Sequence, residues 1–400
     1  MHSKKIYKNT KLPPVFVLGS ALSISRALNK YGIPVYCSDP GFIVDRFSNR
    51  VYKPSFGWRA EYNAALLDKL IKFSQECFDK PILMPSTDVA IEFIMNYYNK
   101  LIPYFKVAKI YLPEVGSLFL YKNNFYNICA RLGIEYPATY MIKNEDDLYN
   151  ALYNLRYPVI IKPNAIHKWK KYLKGNKVIK IDNLEQFREL KFLNRDLLRD
   201  SMIQEVIPGP ESNIYLFKGF FDNSGELIDF FTGRKLRQFP PHFGSASLAE
   251  TKLIPEIVDI CKYLFSKIKI QGLVGAEFKY DWRDKKYKMI EINIRVQLWE
   301  DLMRVSGKEI IWNHYCDLIG KKNYIVKPQI DEIKWIHFNR DIFSALYYLM
   351  NKDLNINDLI RSYKKIRVDA LMQLSDPLTI IGSIIYSINQ IINYKLKPGS

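Results

Sequence analysis

The sequence predicts an α/β fold with α+β character in its middle part, and three observations carry that assignment. Residues Pro14 to Asp39 read as strand, Gly-containing loop, helix and strand, a βαβ unit. Short apolar runs, Pro81 to Pro85 and Tyr157 to Pro163, alternate with amphipathic helical stretches. Residues Val274 to Arg295 read V-G-A-E-F-K-Y-D, W-R-D-K-K and Y-K-M-I-E-I-N-I-R. These are two runs rich in aromatic and β-branched residues about a polar turn, the pattern of an antiparallel hairpin.

At 400 residues the chain has room for two or three domains. Its net charge of +18 attracts polyanions, whether nucleotides, nucleic acid or anionic lipid headgroups. A composition so rich in Lys, Ile, Asn and Tyr produces the same charge without any such partner, and no nucleic-acid-binding motif is present, so none is expected. Five cysteines are scattered without C-x-x-C pairs or a histidine at zinc spacing, which fits free thiols in a reducing compartment. The first residues, M-H-S-K-K-I-Y-K, lack an apolar signal segment, and no run of about 18 apolar residues occurs. A cytoplasmic location is the expectation.

Gly19 and Ser20 follow the first strand, where backbone N–H groups and a helix N-terminus can hold an anion. The fingerprint G-x-G-x-x-G is absent, so a dinucleotide is not expected, and Gly19 equally suits a tight turn. Ser86, Thr87 and Asp88 end the second apolar run. Ligands gather at strand C-termini in open α/β sheets, so Gly19, Ser20, Asp39 and Thr87 are expected to line one crevice. The alternative is that Ser86, Thr87 or Asp88 only caps the next helix.

Tyr121 to Gly133 is an amphipathic helix closed by glycine, with Lys122 at its start reading as a solvated lysine. Lys162 ends the apolar run V-I-I-K-P, where an ammonium is costly to bury without an anion. Residues 164–177, with His167, Lys168, Lys170, Lys171, Lys174 and Gly175, form a basic loop that either folds over phosphates or is a solvated tip. S-M-I-Q-E-V-I-P-G-P-E runs from strand into a Pro/Gly hinge, so Gln204 to Ile207 link two lobes and their backbone can read the edge of a flat base. Leu227 to Phe239 is a strand ending in Arg234, Lys235 and Arg237, an anion-binding cluster. Ile254 to Ile270 is a helix behind the hairpin, and Ser306 to Leu318 is another. From about Asp331 the chain reads as helices, the last amphipathic and ending in Lys395 and Lys397. It either packs as an accessory region or touches a membrane surface.

Along the hairpin Glu291, Asn293 and Arg295 share one face, and Ile290, Ile292 and Ile294 the other. A turn centred near Asp284 sets Glu277 opposite Glu291, with Cβ atoms roughly 5 Å apart. Two such carboxylates repel unless a divalent cation lies between them, and the Asn amide oxygen beside them suits magnesium. Arg295 adds a fixed cation within reach of a phosphate or carboxylate. A hairpin with an ordinary charged solvent face is the competing reading.

Taken in order, V-I-I-K-P, Q-E-V-I-P-G, A-E-F-K-Y-D and I-E-I-N-I-R resemble the ATP-grasp superfamily over roughly residues 14 to 305. The chain is most similar to its carboxylate–amine ligases, those related to D-aspartate ligase and to the carbamoyl phosphate synthetase large subunit. The resemblance implies a Rossmann-like pre-ATP-grasp domain over 1–115, a two-lobed ATP-grasp domain over 116–328 with a lid at about 137–205, and a C-terminal helical extension over 329–400. It implies ATP with magnesium, or manganese, as cofactors. Lys122 and Lys162 would contact the phosphates, Gln204, Glu205, Val206 and Ile207 the adenine, and Glu211 would lie near the ribose. Glu277, Glu291 and Asn293 would bind the metal, and Arg295 and Arg234 would act on the reacting groups. Gly19, Ser20, Thr87, Lys235 and Arg237 would face the substrates.

Two departures stand out: the loop after Lys162 lacks glycine richness, and Ile294 stands where N-P-R is usual. The implied activity is amide formation between a carboxylate and an amine through an acyl phosphate. That needs no protein nucleophile, and no convincing Ser/His/Asp or Cys/His set is present. A cell-surface glycan or peptidoglycan precursor is the expected target, carried on lipid, with the enzyme peripheral at the inner membrane face. The alternatives are an ATP-grasp enzyme of small-molecule metabolism (amino-acid ligase, carboxylase or kinase) and a non-catalytic basic nucleotide- or nucleic-acid-binding protein.

Overall fold

The computed structural model describes residues 12–38, 44–58, 61–164, 178–189, 198–199 and 201–395, without side chains beyond 389. Asp39, the basic loop over 165–177 and Lys397 lie outside them, as does the Lys395 side chain.

Three sheets organise the chain. The first is parallel, with β1 (Val15–Leu18), β2 (Val35–Ser38), β3 (Val51–Tyr52) and β4 (Ile82–Pro85) in the order β3-β2-β1-β4. Every residue of β1, β2 and β4 is buried, as a parallel sheet covered on both faces requires. Helix α1 (Leu22–Leu28) connects β1 to β2, α2 (Ala64–Glu76) precedes β4, and α3 (Asp88–Asn96) follows it. Two further helices, α4 (Pro113–Leu120) and α5 (Lys122–Leu132), lead out of this region. Proline opens α4, and Gly133 closes α5 in the left-handed conformation at φ 66°.

The second sheet is antiparallel, with β5 (Thr139–Ile142), β6 (Val159–Pro163), β7 (Ile179–Ile181) and β8 (Ser201–Glu205) in the order β5-β8-β6-β7. Helix α6 (Glu145–Asn154) covers it, started by a capping box between Asn144 and Asp147.

The third sheet has seven strands: β9 (Ile214–Phe221), β10 (Leu227–Phe239), β11 (Ser245–Thr251), β12 (Gly272–Asp281), β13 (Lys286–Asn293), β14 (Lys334–Ile336) and β15 (Ile366–Asp369). Their order is β13-β12-β9-β10-β11-β14-β15. Helix α7 (Pro255–Ile268) packs Ile257, Val258, Cys261, Leu264 and Phe265 into the core formed with Val274, Ala276 and Phe278, behind the hairpin as expected. Helices α8 (Glu300–Val305) and α9 (Ile310–Leu318) build a second core on the other side. The α9 helix starts four residues later than the sequence suggests, because Ser306 to Lys308 close α8 by turning back on it.

The C-terminal region supplies helices α10 (Phe338–Met350), α11 (Ile356–Ser362) and α12 (Leu378–Lys395). It also supplies β14 and β15, which extend the third sheet beyond β11 and were not visible in the helical reading of the tail. The α12 helix packs on the N-terminal region: Gly382 lies against Phe47, and Asp376 accepts hydrogen bonds from the Ser48 hydroxyl and the Asn49 N–H. Its outer face leaves Leu378, Ile381, Ile384 and Ile388 about half exposed. No helix among the described residues is long and apolar enough to cross a membrane.

Candidate active site

Two chambers meet at the β12–β13 hairpin. Glu277 and Glu291 are direct cross-strand partners, as the turn position predicts, and they line both chambers. A β-bulge follows immediately: Phe278 pairs with Met289, which leaves Ile290 as the extra residue. Ile290 therefore leaves the face it was expected to share with Ile292 and Ile294. Those two join the core with Met289, while Ile290 lines the first chamber.

The first chamber lies between the second and third sheets. Its walls include Lys122, Ile160, Lys162, the hinge residues Gln204, Glu205, Val206 and Ile207, and Lys235, Gln238 and Lys279. Lys162 Nζ donates to Gln204 Oε1 at 2.7 Å, and Gln204 Nε2 donates to the Thr139 hydroxyl at 2.7 Å, so the lysine is held across the sheet. The N–H groups of Glu205 and Val206 are committed to the carbonyls of Ala138 and Pro158, so these donors fix the hinge. Arg283 fixes it further by donating to Glu205 Oε1 at 2.5 Å. Glu211 is not among the lining residues; its carboxylate accepts from the N–H of His242, which lines the chamber, and from the Tyr348 hydroxyl.

Each hairpin carboxylate has its own ammonium. Lys122 Nζ lies 3.0 Å from Glu291 Oε1, and Lys235 Nζ lies 2.6 Å from Glu277 Oε2. Burial works against the Lys122 charge, but Glu291 and the more distant Asp88 and Glu277 outweigh it and raise its pKa above the ordinary lysine value.

The second chamber, about 340 Å³, lies between the first and third sheets. Ser20, Ser86, Thr87, Asp88, Asn293, Arg295 and Arg340 line it. Arg295 Nε donates to Asp88 Oδ1 at 2.6 Å. Burial opposes the Asp88 charge, yet the Arg295 guanidinium prevails and holds the carboxyl below its ordinary value. The backbone of Arg295 is fixed from beneath: the buried Lys218 Nζ donates to its carbonyl at 2.7 Å and pairs with Glu300 at 2.8 Å.

Several expected residues stand elsewhere. Successive side chains on a strand alternate faces, so of Arg234 and Lys235 only one can reach the hairpin carboxylates. Lys235 does, and Arg234 turns to the opposite face, where it pairs with Glu250 at 2.6 Å. Arg237 is buried and donates from Nε and Nη2 to the two oxygens of Asp341 on α10, so it ties strand to helix and lines neither chamber. Thr87 lines the second chamber and also caps α3 by accepting from the Ala90 N–H, so both readings of it hold. Gly19 does not line the chamber. Its φ of 116° and the 2.2 Å that would separate a Cβ from Ser86 Oγ make glycine a steric requirement of that turn. The anion position at the start of α1 is filled by the chain itself, since Asp45 accepts from the Ala21 N–H and the Ser20 hydroxyl.

Sequence reasoning missed Lys218, Gln238, Lys279, Asp45 and Arg340. A lysine inside the apolar run I-Y-L-F-K-G-F-F is itself a signal for Lys218. Arg340 stands among ordinary helix residues, and only the tertiary fold brings it to the site.

The donor set fits a hard cation: two carboxylates facing across a strand pair, with the Asn293 amide beside them on β13. Among the described residues no three His, Cys, Asp or Glu side chains form a complete metal site. Magnesium bound with a nucleotide takes the remaining ligands from phosphates and water.

The arrangement of the three sheets is the ATP-grasp fold. The chain superposes on N5-carboxyaminoimidazole synthetase from Staphylococcus aureus with a TM-score of 0.62 at 14% identity, covering 87% of each chain. The biotin carboxylase domain of Hydrogenobacter thermophilus 2-oxoglutarate carboxylase, solved with MgADP, ADP and bicarbonate, gives 0.62 at 14% identity over 81% of this chain and 74% of that one. An L-amino acid ligase from Bacillus licheniformis gives 0.53 at 17% identity, over 78% and 75%. In sequence, the chain is 24% identical over 295 residues to the D-aspartate ligase of Enterococcus faecium (strain Aus0004), 70% of this chain and 68% of that one. No protein-family model matches.

Proposed function

We propose that the protein is an ATP-dependent carboxylate–amine ligase that makes an amide bond through an acyl phosphate. The observation that carries this reading is the shared wall: Glu277 and Glu291 belong to two chambers at once. A nucleotide in the first chamber and an acid in the second would meet there. ATP would lie along the hinge over Gln204 to Ile207, with its phosphates at Lys122, Lys162 and Lys235. The similarity to a D-aspartate ligase and to the ADP-bound fold relatives supports that placement.

The chemistry has two displacements. A carboxylate oxygen of the acid attacks the γ-phosphorus, the bond to the ADP oxygen breaks, and an acyl phosphate forms. The amine nitrogen then attacks the acyl carbon, phosphate leaves, and the nitrogen loses a proton to solvent. Bound magnesium would be held by Glu277, Glu291 and Asn293, and it supplies neutralisation of phosphate charge. The protein's own part is placement. Lys122 and Lys235 exchange their carboxylate partners for phosphate oxygens, and Arg295, anchored by Asp88 and Lys218, presents a fixed cation to the developing charge.

Transfer of ¹⁸O from a labelled carboxylate to inorganic phosphate tests the acyl phosphate, with D-aspartate as the first acid tried. ADP release that needs both acid and amine, with label in phosphate, is the expected result. A requirement for bicarbonate instead of an organic acid would favour carboxylation, the reading suggested by the carboxylase relatives in the fold comparison.

For the acceptor we propose an amine on a lipid-linked cell-surface precursor, with the enzyme peripheral at the inner membrane face. Support comes from the half-exposed Leu378, Ile381, Ile384 and Ile388 on α12 in a chain of net charge +18.

A further inference from the structure

We infer that Gln297 is a further catalytic residue: its side-chain N–H donates, beside Arg295, to the oxyanion that forms when the amine adds to the acyl carbon. The inference rests on the ligase reading and adds a residue that acts on the second displacement.

Gln297 is a polar side chain that the fold leaves unused. Only 7% of the residue is exposed, and it lines the second chamber. Its Oε1 is shut off from solvent without a hydrogen-bond partner. Its Nε2 has no partner among the described residues either, yet it is not shut off, so the nitrogen is the end that meets the open space. A buried amide with both ends unmatched is costly until a ligand supplies an acceptor.

The chain nevertheless makes room for it and holds it still. Gly275, buried on β12, lets the carboxamide lie against bare backbone, since a Cβ there would overlap Oε1. One buried ion pair fixes the segment: Lys218 Nζ donates to the Arg295 carbonyl at 2.7 Å and pairs at 2.8 Å with Glu300, whose Oε1 accepts from the Gln297 main-chain N–H at 3.0 Å. That bond commits the main-chain N–H, so the side chain is the donor Gln297 has left. Arg295 and Gln297 are thus set relative to each other before any charge develops, which is what makes such donors effective.

Position selects the oxygen they serve. Glu277 and Glu291 line both chambers, whereas Arg295 and Gln297 line only the second. An acid in that chamber turns one carboxylate oxygen to the shared wall to attack phosphorus. Its other oxygen becomes the carbonyl oxygen of the acyl phosphate and points away from the nucleotide, towards these two donors. As the amine nitrogen adds, the C–N bond forms and the carbonyl pair moves onto that oxygen. The pair returns when the C–O bond to phosphate breaks; phosphate leaves with that bond's electrons, and the nitrogen gives its proton to solvent. Arg295 commits Nε to Asp88 at 2.6 Å, and its terminal nitrogens meet the new charge together with the neutral Gln297 N–H.

The two displacements are read apart, with D-aspartate, L-aspartate, L-glutamate and L-alanine as acids. Positional exchange of ¹⁸O from the β,γ-bridge of labelled ATP, with acid and no amine, follows the first. Hydroxamate formation with hydroxylamine, which intercepts acyl phosphates, follows the second. In Gln297→Met, hydroxamate formation should fall on the order of a hundredfold while the isotope exchange stays within about threefold of wild type. The thermal midpoint of Gln297→Met should equal or exceed that of wild type, because no hydrogen bond is lost and a buried orphan oxygen is removed. Equal hydroxamate rates in the two proteins, or equal losses in both steps, overturn the inference and leave the ligase reading standing. A lowered midpoint overturns it as well, since the amide would then support the fold. No hydroxamate from wild type with any of these acids removes the ligase reading, and the role of Gln297 with it.

Discussion

At the scale of single residues, the two hairpin carboxylates were readable because a strand has period two and a hairpin has a centre. Once the turn is placed near Asp284, Glu277 must face Glu291. Glu291→Gln keeps the shape, removes one metal-type ligand and weakens the Lys122 pair. ADP formation should fall by at least on the order of a hundredfold, while the thermal midpoint stays close to wild type because this pair is partly solvated. A rate assay in magnesium beside a melting curve decides it, and near-normal turnover would take Glu291 out of the site. The same period-two rule explains the error over Arg234, Lys235 and Arg237. A cluster of three cations shows that a charged stretch exists but not which parity faces the cleft, and the irregular register between Lys235 and Gln238 hides the answer further. Arg340 was out of reach, because nothing in F-N-R-D-I-F-S connects it to serines more than 300 positions earlier.

At the scale of elements, strands and helices were legible where apolar period and capping agreed, as in α5 with Gly133 and β6 with its flanking prolines. β14 and β15 were not, being short strands of three and four residues that owe their state to the edge of β11. The join between β10 and α10 depends on Arg237 and Asp341, both nearly inaccessible to solvent. Arg237→Met leaves Asp341 buried with the Ser247 hydroxyl but no cation, and should cost about 3 kcal/mol by chemical denaturation. A loss under about 1 kcal/mol would show that the helix is not held by this pair. The outer face of α12 allows a different experiment. Since the inner face packs on residues 44–49, truncation would damage the fold, whereas serine at Ile381, Ile384 and Ile388 changes only exposed positions. Sedimentation with anionic vesicles should be lost in that triple variant and kept in wild type. Equal sedimentation of the two would end the membrane proposal.

For the molecule as a whole, buried histidines add to acid sensitivity. Burial, with the Lys218 ammonium nearby, pushes His314 down to about 3 from 6.5, and burial pushes His337 well below its ordinary value. Both are therefore neutral in the folded protein where the unfolded chain already binds protons. Their contribution is fully present above 6.5 and is lost as pH falls from there towards about 3, at a limiting slope of about 1.4 kcal/mol per unit for each group. The thermal midpoint should drop between about pH 7 and about pH 5, and the drop should be shallower in His314→Phe. An unchanged slope in that variant would assign the acid limb to other groups.

The two lysine–carboxylate pairs at the hairpin carry a thermodynamic linkage. On the proposed reading, a nucleotide that draws Lys122 and Lys235 onto its phosphates would part Glu277 and Glu291 from their ammonium partners, and the two acidic groups face each other across a strand pair. A divalent ion alone would meet the converse difficulty, since it would have to displace two ammonium groups from the carboxylates. Each ligand would therefore remove the obstacle to the other, and by reciprocity the two affinities would rise by the same factor. Calorimetric titration of ATP with and without magnesium, and of magnesium with and without ATP, should close such a square with strong positive coupling. In Lys235→Met, where Glu277 has lost its paired ammonium, magnesium alone should bind more tightly and the coupling should shrink.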